Sequence, residues 1–180
     1  MKKALIACTL AGLILSCGGG YNSSSDKGFT IQPGDLTQFT LQNKSHSITF
    51  GGTPYNCVSD PGCYAILFQG TINGTQYVGL AVQRETLTEI FNLKIYYPGS
   101  IPTTFPDSKD IQADSNSVVK VERKNISTGV TTTYTYDHIA AFTINFTAAA
   151  TNNVYPITAT GTPSVGGSSL TITSIDALGI

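Results

Sequence analysis

The side chains of this 180-residue chain best suited to chemistry are four cysteines, two histidines and eleven carboxylates. Cys57 and Cys63 bracket Asp60-Pro61-Gly62, a tight-turn sequence. In a chain that leaves the cytoplasm, two cysteines so spaced form a structural disulfide. Closing so small a ring contributes about 2.4 kcal/mol by chain entropy. A redox pair would want Cys-x-x-Cys, and a zinc set would want further His or Cys nearby. His46 follows Lys44-Ser45 and reads as a surface residue. His138 follows Asp137, but neighbours on a strand point to opposite faces, so adjacency alone does not make them a dyad, and His138 reads as a turn or strand-end residue. No Gly-x-Ser-x-Gly elbow occurs to suggest a nucleophilic serine. Glu85 and Glu89, taken at strand spacing, stand about 13 Å apart, too far for a glycosidase pair, and read as solvated. Asp107, Asp110 and Asp114 share a polar stretch that oxygen-loving calcium would favour, without the glycine and closing glutamate of an EF-hand. No catalytic residue, metal set or cofactor is therefore assigned. Tyr96, Tyr134, Tyr136 and Tyr155 fall on three strand candidates. They either fill half-buried sheet faces with their hydroxyls in water or form an aromatic platform for a glycan or partner protein.

The remaining cysteines belong to the N-terminus. Lys2-Lys3 is followed by the apolar run Ala4 to Leu15, then Ser16-Cys17 and Gly18-Gly19-Gly20. A charged start, a short apolar core and a small residue before a break mark a secretory signal peptide. As a helix the run would rise about 18 Å, short of the ~30 Å hydrocarbon core of a bilayer. Ile14-Leu15-Ser16-Cys17 resembles the lipobox of bacterial lipoproteins, with Leu15 standing where a smaller residue is usual. Leu5-Ile6-Ala7-Cys8 matches the letters better, but cleavage there would leave an apolar region of only four residues, Ala4 to Ala7. The resemblance covers residues 1–20 alone. It implies cleavage before Cys17, which becomes the mature N-terminus with a diacylglyceryl group on its sulfur, and residence at the outer membrane of a bacterial envelope. Residues 1–16 are then signal peptide. Residues 17–28 are lipidated cysteine and flexible tether, a Gly/Ser-rich coil spanning roughly 18 Å. Residues 29–180 are a single β domain.

The elements that must position any site are strands. Charged residues are only 12% of the chain, while Thr, Ser, Asn, Gly and Tyr abound, and helix formers never gather at a 3.6-residue period. The formal net charge of −1 becomes about −3 without Lys2 and Lys3, and no basic patch emerges, which argues against a nucleic-acid partner. Asn73-Gly74 between two apolar runs predicts a two-residue type I′ hairpin, with Ile72 facing Thr75, Gly70 facing Tyr77, Phe68 facing Gly79 and Ile66 facing Ala81. These strands are apolar on both faces and so belong at the centre. Short strand candidates also lie at Phe29–Ile31, Phe39–Leu41 and Ser47–Phe50, ahead of a loop from Gly51 that holds the two cysteines. Phe91 to Tyr97, Val119 to Glu122, Thr131 to Tyr136 and Ala140 to Ala148 are further strands. Pro156 places the Tyr155–Ala159 strand at an edge or near its own beginning. Leu170, Ile172 and Ser174 supply the last inward face. About ten short strands imply an antiparallel β-sandwich, with a small up-and-down barrel as the alternative. Together these features point to a lipid-anchored envelope protein whose partners are membrane lipid and an envelope or host protein or glycan. The alternatives are a lipocalin-like carrier of an apolar ligand and, least supported, an envelope hydrolase.

Overall fold

A computed structural model describes residues 44–58, 62–111, 116–135 and 142–180. The chain divides into two compact units, residues 1–41 and 42–180, and every described residue belongs to the second. Cys8, Cys17, the tether and the candidates at Phe29–Ile31 and Phe39–Leu41 lie outside the described residues, as do Tyr136 and His138.

The second unit is all β. Its strands are β1 (His46–Phe50), β2 (Thr53–Cys57), β3 (Cys63–Ile72), β4 (Thr75–Glu85), β5 (Glu89–Pro98), β6 (Asp107–Asp110), β7 (Val118–Asn125), β8 (Thr131–Thr135), β9 (Thr143–Phe146), β10 (Val154–Thr160), β11 (Ser164–Val165) and β12 (Ser168–Gly179). They form one sheet in the order β6-β9-β10-β12-β3-β4-β5-β7-β8, with β1 and β11 also on β12 and β2 on β1. The path ends on β6 and β8, which do not pair, so the sheet is not a closed barrel. Instead it folds over on itself. Phe50 of β1 meets Phe91 of β5 and Tyr134 of β8 at ring separations of 6.3 and 5.0 Å, and Tyr55 of β2 stacks on Phe91 at 3.9 Å. Those strands are not ladder neighbours, so the rings meet across two layers, and one apolar core lies between them.

The β3–β4 hairpin has the expected register throughout, from Ile72↔Thr75 to Ile66↔Ala81. Asn73 and Gly74 take φ of 49° and 79°, the left-handed pair a type I′ turn requires. The Phe68 ring lies over Gly79, where a β-carbon would collide with it. With β12 on one flank and β5 on the other, these strands are central, as their two apolar faces require.

Three departures from the sequence reading have local causes, and one open alternative is resolved. Gly51-Gly52 opens no loop: with φ of 55° and 79° it is a second tight hairpin, and Thr53–Cys57 returns as edge strand β2, where Pro54 is tolerated. β10 is internal, flanked by β9 and β12. Of the two placements expected for Pro156 the second holds: it sits near the strand's start, just beyond the last β9 pair, Ile157↔Phe146. β12 is longer than expected and carries a bulge: Ser47 faces Ser174 but Ile48 faces Ile172. The extra residue flips the inward face, so burial passes from Leu170 and Ile172 to Ile175 and Ala177. Finally, β12 pairs with β3 in parallel, the one exception to an antiparallel ladder among the described residues. β3 and β12 are joined by most of the domain, which leaves ample chain for a parallel return.

Candidate functional site

The meander β3-β4-β5-β7-β8 has two ends. The starts of β3, β5 and β8 and the ends of β4 and β7 gather at one of them, which we call the disulfide end; the Asn73–Gly74 turn marks the other, the hairpin end. Polar side chains converge at the disulfide end. Cys57, the last residue of β2, is bonded to Cys63, the first of β3, with Cα atoms 5.9 Å apart. The bridge ties the second layer onto the meander. Both cysteines are buried, and Arg84, directly across from Cys63, donates from Nη1 to its sulfur at 3.3 Å.

His46 stands opposite Cys57 on β1 and is not a surface residue. It is 2% exposed, because it shares the inward face of β1 with Ile48 and Phe50. Neither ring nitrogen has a hydrogen-bond partner among the described residues. Burial, reinforced by the Arg84 charge, lowers its pKa from 6.5 to about 4, with the Lys44 main chain pulling weakly the other way. The imidazole is therefore neutral at ordinary pH.

Glu89 and Arg123 form a bidentate pair across the meander: Nε donates to Oε1, and Nη2 to Oε2 at 2.9 Å. Tyr55 of β2 donates its hydroxyl to the same Oε1 at 3.1 Å, and the guanidinium carbon lies 5.9 Å from the Tyr55 ring centre. Hydrogen bonding from Arg123 holds the Glu89 carboxyl below its usual range and outweighs the opposing effect of burial. Burial and the Glu89 charge push the Tyr55 phenol up to about 12. Glu89 is thus a fixed anion, not a solvated carboxylate. Glu85, across from Ile90, lies on the opposite face of the meander. The two glutamates belong to two strands joined by the turn 86–88, so strand spacing never applied to them.

A second polar group lies on the outward face. Lys94 of β5 and Lys120 of β7 are cross-strand partners, 9% and 4% exposed, and Glu122 bridges them at 3.3 and 3.2 Å. Like charges directly opposite repel, and one carboxylate reaching both lysines offsets that. Near the hairpin end, the buried Tyr97 hydroxyl has no hydrogen-bond partner among the described residues, and burial together with Asp107 raises its pKa.

The structure does not bring the described tyrosines to one surface. Tyr96 points outward against Phe68. Tyr134 points inward onto Phe50, and Tyr155 packs between Phe105 and Phe146. Tyr136 lies outside the described residues. Of the three aspartates, Asp107 pairs with Lys109, Asp110 accepts from the Thr143 hydroxyl, and Asp114 is not described. Among the described residues no three His, Cys, Asp or Glu side chains gather as a metal would need. The Glu89–Arg123–Tyr55 group escaped the sequence reading because its members are brought together by pairings 34 residues apart. His46 had a signal, the period-two run His46, Ile48, Phe50. No protein-family model, curated protein or solved structure matches this chain.

Proposed function

We propose that the protein is an exported lipoprotein, held to a bacterial outer membrane by a diacylglyceryl group on Cys17, whose β domain serves in binding, adhesion or envelope organisation. One observation carries the reading: a short apolar run behind Lys2-Lys3 that ends in Ser16-Cys17 and gives way to Gly18-Gly19-Gly20. The Cys57–Cys63 bridge supports it independently, since such bonds persist in oxidising compartments. Three titratable groups at the disulfide end are bound into packing: Glu89 is clamped, His46 is sealed from water, and Tyr55 keeps its proton. Such groups hold layers together. The partners in this reading are membrane lipid and an envelope or host protein or glycan. A lipocalin-like carrier draws nothing from the open sheet, because its architecture is a closed barrel.

Metabolic labelling with a radioactive fatty acid tests the anchor. Wild type and Cys8→Ser should be labelled and Cys17→Ser should not. Equal labelling of wild type and Cys17→Ser would end the lipoprotein reading.

A further inference from the structure

The large hydrophobic side chains exposed among the described residues are Val58, Leu87, Ile126 and Val130, at 79, 97, 41 and 62% exposure. Exposed aliphatics scattered singly need no explanation. These are not scattered. All four sit in or beside the turns of the disulfide end: Val58 after Cys57, Leu87 between β4 and β5, Ile126 and Val130 between β7 and β8. The turns are laced side by side. Glu85 N–H donates to the Gly62 carbonyl at 2.7 Å, and Ile126 N–H to the Thr88 carbonyl at 2.9 Å. Two of them are also stiffened from within. The Thr86 hydroxyl accepts from the Glu89 N–H, and the Asn125 side chain from the Thr128 N–H. Four strand spacings separate β3 from β8, so the tips form a row roughly 19 Å long.

Charge follows the same division. Lys44, Arg84, Arg123 and Lys124 stand at this end against Glu85, Glu89 and Asp176, whose N–H donates to the Ser45 carbonyl, a surplus of one positive charge among the described residues in a chain that is negative overall. At the hairpin end, residues 73–74, 98–101 and 116–117 carry no exposed large hydrophobic, and the nearest charge is Asp107 beside Tyr97, itself paired with Lys109. Aliphatic tips above basic side chains match the two layers of an anionic bilayer surface: hydrocarbon takes the tips while lipid phosphates meet the lysine heads, the arginines being engaged by Glu89 and Cys63. The chain preceding Lys44 also joins the domain here, because Lys44 N–H donates to the Cys63 carbonyl.

We infer that the disulfide end is a membrane-docking face, with Leu87, Ile126, Val130 and Val58 entering the interface of an anionic lipid layer. The inference rests on the lipoprotein reading only for what brings the domain near a bilayer. Affinity should fall about tenfold for Leu87→Ser, from the lost apolar burial, and about fivefold for Lys124→Gln.

The chain contains no tryptophan, so one introduced residue is an unambiguous reporter. The full-length protein, purified with its lipid, would carry Leu87→Trp or, at the hairpin end, Ser100→Trp. Each would be mixed with phosphatidylglycerol–phosphatidylcholine vesicles and with phosphatidylcholine vesicles. The expected result is a blue shift and quenching by brominated lipid for Leu87→Trp, stronger with the anionic vesicles, while Ser100→Trp keeps its water-like emission. Vesicle-bound protein in which neither tryptophan shifts, or both shift equally, would overturn the inference. A shift of Leu87→Trp with envelope protein extract but not with lipid would also overturn it, assigning the face to a protein. If fatty-acid labelling fails, the same variants added without lipid to the anionic vesicles give a separate answer. A Leu87→Trp shift there keeps the docking face without the anchor, and no shift removes both.

Discussion

At the hairpin end of the meander the chain turns on Asn73-Gly74, leaves β5 through Gly99-Ser100 and re-enters at β7 through Asn116-Ser117; at the disulfide end it turns on Thr86-Leu87-Thr88 and Ile126-Ser127-Thr128-Gly129-Val130. The hairpin-end turns are made of residues that water satisfies and that left-handed backbone favours. The disulfide-end turns also use left-handed glycines, at Gly62 and Gly129, but cap the backbone with hydroxyl and amide side chains and leave aliphatics outside. Behind them lie the disulfide, the Glu89–Arg123–Tyr55 clamp and buried His46. The contrast teaches that closing a strand pair and finishing its end are separate problems. The hairpin end solves only the first. The disulfide end is braced from within and made apolar without, a combination suited to a surface that bears on another phase.

Removing the brace should have the largest effect. Phe91 joins the layers through Phe50 and Tyr55 and has no exposure. Phe91→Ala should cost about 3–5 kcal/mol in urea unfolding. A loss under about 1 kcal/mol would show that the layers are held elsewhere.

Acid should loosen the same end next. Because His46 has a folded-state pKa near 4 against 6.5 when free, the unfolded chain takes up its proton first. Stability is therefore full above pH 6.5 and falls as pH drops toward 4, by up to about 3 kcal/mol. Glu89, whose pKa is depressed, adds a further loss below the ordinary carboxylate range. His46→Leu should flatten stability between pH 6.5 and 4 while leaving the Glu89 loss in place. An unchanged profile would mean that His46 is not the group titrating.

Reducing Cys57–Cys63 should cost about 2.4 kcal/mol and speed amide exchange at residues 44–46 and 62–64, with the Asn73–Gly74 turn unaffected. Uniform acceleration would deny that the bridge acts locally.

The smallest effect sharpens the contrast most. Leu87→Ser removes a side chain that touches almost nothing, so urea stability should stay within about 0.5 kcal/mol. Its consequence should appear only as weaker flotation with anionic vesicles. A clear loss of stability would make Leu87 a packing residue instead.

The sequence was most legible where pairing is local. Asn73-Gly74 specified the β3–β4 register because a two-residue turn leaves no slack. Thr86-Leu87-Thr88 contains no Gly, Pro or Asn, so the β4–β5 turn was hidden and Glu85 and Glu89 were placed on one strand. The β12 bulge reverses which side chains face inward, and no period-two reading can follow such a reversal. His46 belonged to a visible alternation, but its polarity argued for the surface more strongly than its spacing argued for the core. The clamp, the bridge across layers and the row of exposed tips depend on pairings between distant segments, which composition and periodicity do not encode.

The most direct test is amide hydrogen exchange on the protein bound to anionic vesicles, compared with the protein in detergent-free solution after enzymatic removal of its acyl chains. Residues 86–88 and 126–130 should gain protection on the vesicle, with no change at 73–74 and 98–101. Protection at the hairpin end, or none at either, would contradict a domain that meets the bilayer through its disulfide end.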